Sequence, residues 1–157
     1  MKTAPSRYRM ITPQLTISAP LQHTDVGFLH DAGCRKIYTL SGGFVSSEVV
    51  PRLKQFKMEC THYPLDILSS SVVSFDQLEK ITTQIVKEIE AGSNVHIVSG
   101  YEMAEAACVV GQVRRLCSDW TVLSAVAEAL DICRFAEPEF VLRHVMQSST
   151  SDHFSSK

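Results

Sequence analysis

Little in this sequence commits it to a special chemistry. Its seven glycines form no Gly-x-Gly-x-x-Gly and no Walker-type loop, and Gly42-Gly43 marks only a turn, so the common nucleotide cradles are excluded. The five cysteines, Cys34, Cys60, Cys108, Cys117 and Cys133, are odd in number, include no Cys-x-x-Cys pair and sit mostly in apolar runs. They are expected to be reduced thiols of an intracellular, reducing compartment, cytoplasmic or mitochondrial, not a disulfide framework. The histidines at 23, 30, 62, 96, 144 and 153 form no close pattern with Cys, Asp or Glu, and His62 stands isolated in a strand. No metal and no other cofactor is expected. No apolar run approaches the length of a membrane span. A net charge of −2 forces no basic face, so a nucleic-acid partner gains no support. The start, Met1 to Arg9, carries Lys2, Arg7 and Arg9 without an acid. It is too short and too polar for a secretory signal, and a short mitochondrial presequence is the alternative to a simple flexible lead-in.

What is present is the composition of one ordinary globular domain, with 45% hydrophobic and 20% charged residues in 157. Residues 1–10 are expected to be flexible, 11–146 to fold, and 147–157 to form a disordered Ser-rich tail. Met10 to Ser18 alternates apolar and polar residues after Pro13 and predicts a short strand with Pro13 at its edge. Thr24 is placed to cap a helix from Asp25 to Ala32, with Gly33 as its stop. Lys36 to Leu40 predicts a strand, and Ser47 to about Phe56 a helix with Pro51 in its first turn. Cys60 to Leu65 predicts another strand, which delivers Asp66. Ser74 and Gln77 form a capping box before Leu78, Ile81, Ile85 and Ile89, one face of a helix that Gly92 ends. Val95 to Val98 is apolar apart from His96 and predicts a central parallel strand. A helical face follows at Met103, Ala106, Ala107, Val110, Val113 and Cys117. Two further helices are predicted, Trp120 to Asp131 capped by Asp119, and Pro138 to Met146. Strands alternating with helices indicate an α/β fold with a mainly parallel central sheet flanked by helices.

The stretch Val95-His96-Ile97-Val98-Ser99-Gly100-Tyr101-Glu102-Met103-Ala104 organises the rest. A strand, a tight loop with one glycine and a helix start aim loop amides and the positive helix end at one spot, a cradle for an anion. It resembles the loop of the cysteine-dependent tyrosine and atypical dual-specificity phosphatases, which read His-Cys, five residues, Arg, then Ser or Thr. His96 and Gly100 match. Ile97 stands at the nucleophile position, Met103 at the arginine position and Ala104 at the hydroxyl position. The flanks are similar too: Thr12 to Ser18 followed by a helix and Ala32 to Ile37 resembles the opening of phosphatase-like domains, and Asp119-Trp120-Thr121 to Glu128 resembles the helix after the loop helix. The resemblance runs from about Ile11 to Val145.

The resemblance implies a mechanism in which a thiolate attacks phosphorus, an arginine grips two phosphate oxygens and an aspartate protonates the leaving oxygen. Asp66, which lies 31 residues before Ile97 and ends a strand, matches the former general-acid position. With Ile97 and Met103 in the other two places, the expectation is that the chain is not an enzyme but a pseudophosphatase with no catalytic residues. It is then a protein-interaction or structural subunit with protein partners, in a larger assembly. The alternatives are a phosphate- or anion-binding regulatory module, and a residual phosphatase acting through Asp66 or Cys108. His96 is expected to bear a structural hydrogen-bonding role. Glu102 or Glu105 is expected to satisfy the loop amides in place of phosphate. Arg114-Arg115 is expected to be a solvated helix end, with a partner patch as the alternative.

Overall fold

The computed structural model describes residues 2–40, 45–63 and 74–133. Period-two alternation in the strands sets the layers. Strands β1 (Arg9–Thr12), β2 (Leu15–Ser18), β3 (Lys36–Thr39), β4 (Glu59–His62) and β5 (Val95–Val98) form one sheet in the order β1-β2-β5-β3-β4. The β1–β2 pair is antiparallel and every other pair is parallel. Leu15, Ile17, Tyr38, Val95 and Ile97 face a core built with α3 (Ser74–Glu90), α4 (Ala104–Cys117) and α5 (Val122–Ile132). Ile37 and Val98 face the opposite core with α1 (Asp25–Asp31) and α2 (Val49–Gln55). The architecture is the expected α/β one, a mainly parallel sheet with helices on both faces. Among the described residues no helix is long and apolar enough to cross a membrane.

Three local expectations change. Met10 to Ser18 is not one strand but a hairpin, because Pro13 and Gln14 form the turn between β1 and β2. The Gln14 N–H donates to Thr12 Oγ1 at 3.2 Å and closes that turn. The cap of α5 is Thr121, not Asp119: its Oγ1 accepts the Ser124 N–H at 3.2 Å, while Asp119 takes a left-handed φ of 56° in the turn before. Thr24 sits at the start of α1 without a side-chain cap bond, and the Asp25 carboxylate accepts the Gln22 N–H instead. Gly33 does end that helix, at a φ of 91° that other residues resist.

Of the lead-in, residues 2–10 are described and lie on the domain. The Thr3 N–H donates to Thr24 O, its hydroxyl to Asp25, and the Ala19 N–H to Ser6 O, with Pro5 buried. Asp66, the end of the strand predicted to Leu65, the helix predicted at Pro138 to Met146 and the tail 147–157 lie outside the described residues.

Candidate functional site

Strand β5 delivers the loop. It is the central strand, bonded on both sides to parallel neighbours, and all four of its residues are buried. Ile97 is fully buried and points into the core shared with α4. His96 points to the other face and is also fully buried. Its partners assign its tautomer. Ser18 Oγ donates to Ala19 O at 2.8 Å, so its lone pair accepts the His96 Nε2–H, also at 2.8 Å. Nδ1 is left to accept the Thr16 hydroxyl at 2.8 Å. Tyr8 stacks on the ring at 6.1 Å. Burial holds the imidazole neutral, with its pKa down to about 3. His96 thus ties the base of the loop to β2, the hydrogen-bonding role expected for it.

The loop then turns outward and back. Tyr101 is 60% exposed and Glu102 is also exposed at the tip, whereas Met103, only 3% exposed, returns to the core. Met103 caps α4 in the left-handed conformation, φ 62° and ψ 18°, with no side-chain cap bond. Its N–H donates to Gly100 O and its carbonyl accepts the Ala107 N–H. Ala104 begins the helix and is buried. The carboxylate in the first turn of α4 is Glu105, and it is buried. It accepts the Ser99 hydroxyl at 3.1 Å, and Ser99 Oγ accepts the Ala106 N–H at 3.3 Å. Of the two acids expected to serve the loop, Glu105 is the one drawn in, and it reaches an amide through Ser99. A negative group here also matches the positive end of the helix.

The other candidates fall elsewhere. Cys108 is fully buried in α4, and burial pushes its thiol well up. All five cysteines are free. Among the described residues no group of three or more His, Cys, Asp or Glu is gathered as a metal site. Arg114 is not a solvated helix end. It clamps Glu128 through two bonds of 2.8 and 2.9 Å, donates to Ile11 O at 3.1 Å and lies 4.0 Å over the Trp120 ring. Its spacing to Glu128 crosses a helix corner, so no helical periodicity announces the pair. Two depressions lie away from the loop. One of about 30 Å³ sits between Tyr8, Thr16, Cys34 and Asn94, and an open groove of about 380 Å³ runs along α3 at Lys80, Gln84 and Lys87.

No protein-family model and no curated protein matches the chain. Solved structures do match. The core catalytic domain of the PP-IP phosphatase Siw14 from S. cerevisiae, in complex with citrate, superposes with a TM-score of 0.77 at 16% identity, over 93% of this chain and 88% of that one. Tk-PTP in the active form gives 0.71 at 14% identity, over 90% and 97%. TpbA of P. aeruginosa in complex with pTyr gives 0.66 at 14% identity, over 89% and 90%.

These matches correct one expectation. The chain was expected not to be an enzyme because Ile97 and Met103 occupy the thiolate and arginine positions. The backbone it shares with them across most of its length is that of working phosphatases, so this conclusion does not stand. The physical reason is that the expectation rested on two side-chain identities, whereas the matches bear on the backbone that presents them, the β5 strand, its loop and the start of α4. The chain has the fold of the tyrosine and atypical dual-specificity phosphatases.

Proposed function

We propose that this phosphatase-fold domain acts as a protein-interaction or structural subunit of a larger assembly. One observation carries the reading. Leu123, in the first turn of α5, is 82% exposed, and Leu116, in the last turn of α4, is exposed as well. A lone exposed leucine is ordinary. Here two leucines flank a half-buried Trp120 at one helix corner, and that corner is held rigid by the Arg114 clamp. Tryptophan and arginine are enriched at the centre of interfaces, and the exposed leucines add apolar area beside them. The test is Leu116→Asp together with Leu123→Asp. The variant is expected to lose its place in the native complex while its unfolding free energy stays within about 0.5 kcal/mol per site of the parent, as for surface changes. Full incorporation of the doubly charged variant would overturn the reading.

A second reading is recognition of a phosphorylated or other anionic group at the β5–α4 loop. It is supported by the neighbours solved with pTyr and with citrate, and by the helix start that follows the loop. Glu102 and Glu105 weigh against it. A ligand of the native state must raise its stability. Phosphotyrosine or vanadate that raises the melting temperature with concentration supports this reading, and indifference to both removes it. Turnover of an aryl phosphate in the same samples reports hydrolysis directly.

A further inference from the structure

Strand β4 differs from the other four in having every residue exposed. It is also the end of the sheet. The Glu59 N–H donates to Arg35 O and the Tyr63 N–H to Thr39 O, so residues 59, 61 and 63 turn their peptide groups toward β3. Alternation then turns those of Cys60 and His62 outward. Their side chains share one face, with Cα atoms about 6.6 Å apart, two strand rises. On that face His62 Nδ1 lies 2.7 Å from Thr39 Oγ1, and Thr39 is itself buried. This bond orients the ring and leaves Nε2 as the second nitrogen, the arrangement in which an imidazole held by an outer hydrogen bond ligates a metal. No third ligand joins the pair among the described residues.

We propose that Cys60 and His62 are half of a thiolate–imidazole zinc site, completed by Cys60 and His62 of a second copy whose β4 pairs antiparallel with this one about Thr61. In that register Cys60 faces His62 of the other copy on both sides of the two-fold axis. Both residues carry outward peptide groups, so each facing pair exchanges two backbone bonds. The four side chains project from the same sheet face and supply the Cys₂His₂ set that zinc favours over harder cations. No like charges oppose each other: Glu59 lies 3.5 Å from Lys36 and falls opposite Tyr63 of the other copy. Among the described residues no further strand pairs with this edge. β4 contains no proline and no lysine, and its pairing with β3 shows no bulge. A four-residue edge covers far less than the roughly 1,200 Å² of a stable interface, so the metal must supply the cohesion. On binding, each thiol gives its proton to solvent and becomes thiolate. The inference does not depend on the α4–α5 corner, which belongs to other elements.

The test is sedimentation of the full chain with EDTA or with zinc at half an equivalent, beside the absorption spectrum of the cobalt-loaded protein. The expected result is a monomer in EDTA, a dimer with zinc, and a thiolate-to-cobalt charge-transfer band. Cys60→Ser, which removes the thiolate, and Thr61→Lys, which sets two ammonium groups against each other, each abolish the zinc dimer while melting in EDTA stays that of the parent. Thr39→Val keeps the shape but loses the outer bond, and lowers zinc affinity about 10–100-fold. A monomer at every zinc concentration, a dimer that survives EDTA or Cys60→Ser, or a cobalt complex without the charge-transfer band would each overturn the proposal.

Discussion

The two edges of the sheet are built on opposite plans. β1 is guarded. Its ladder with β2 is interrupted by a register shift between Met10 and Thr12, and Pro13 follows it. Arg9 reaches Asp131 of α5 at 2.7 Å, and the Ile11 carbonyl accepts from Arg114. Among the described residues β4 has no register shift and no arginine tie to a helix, only the Glu59–Lys36 pair to its neighbouring strand, and it exposes Cys60 and His62 on one face. The contrast extends to two histidines, each bonded through Nδ1 to a threonine on a neighbouring strand. His96 has its second nitrogen satisfied by Ser18 and is sealed, whereas His62 stands in the open. Edges left open invite another chain, and natural sheets commonly close those meant to stay single. The closed edge therefore contributes to stability, and the zinc dimer proposed above uses the other one.

The largest expected effect breaks the closed side. Arg114→Met strips the clamp from Glu128, which is only 13% exposed, and leaves a nearly buried carboxylate unpaired. Urea unfolding should show a loss of about 3–5 kcal/mol, and adding Glu128→Leu should restore much of it, since removing both charges relieves the orphaned one. A loss below about 1 kcal/mol would mean the clamp does not hold the corner.

Acid tests the sealed histidine. His96 is held far below the ordinary imidazole value near 6.5 in the native state, so the unfolded chain binds the proton first. Its contribution to stability is complete above pH 6.5 and is lost as pH falls from there toward about 3. The expected slope is about 1.4 kcal/mol per pH unit from this group. His96→Gln should flatten that part of the pH–stability curve, and an unchanged slope would contradict the neutral tautomer assigned above.

Smaller effects sharpen the contrast. Thr121→Ala removes the cap of α5, the helix whose Asp131 meets Arg9 of β1, and should cost about 1 kcal/mol in thermal or urea unfolding. Arg9→Ala removes only an exposed ion pair and should cost about 0.2–1 kcal/mol, less at high salt. An Arg9 effect that exceeds that of Thr121 would mean the β1 edge is held by charge and not by the packing of α5.

How much of this was legible in the sequence follows from the range of each interaction. The apolar run around His96 predicted a central parallel strand, because burial on both faces erases alternation. The order of elements and the loop after β5 followed from local patterns. The hairpin did not, because Pro13-Gln14 lacks the glycine that usually announces a two-residue turn. The cap of α5 was misplaced because Asp119 and Thr121 are both good cap residues, and only the left-handed turn at Asp119 decides between them. The Arg114 clamp joins groups far apart in the chain and leaves no local trace. His62 was read as isolated although Cys60 stands two residues before it, because the meaning of that pair depends on β4 ending the sheet, which is a property of the sheet and not of the local sequence. At the loop, Ile97 and Met103 were read as settling the chemistry, while the backbone they sit in is shared with phosphatases that work.

The measurement that bears most directly on the central claim, assembly through surfaces of a phosphatase fold, is the native mass of the wild-type protein in gently lysed cells, with its stoichiometric companions identified. The account predicts a stable particle heavier than two copies of the 17.4 kDa chain, with a companion protein in fixed ratio. Migration as a free 17.4 kDa chain would contradict it.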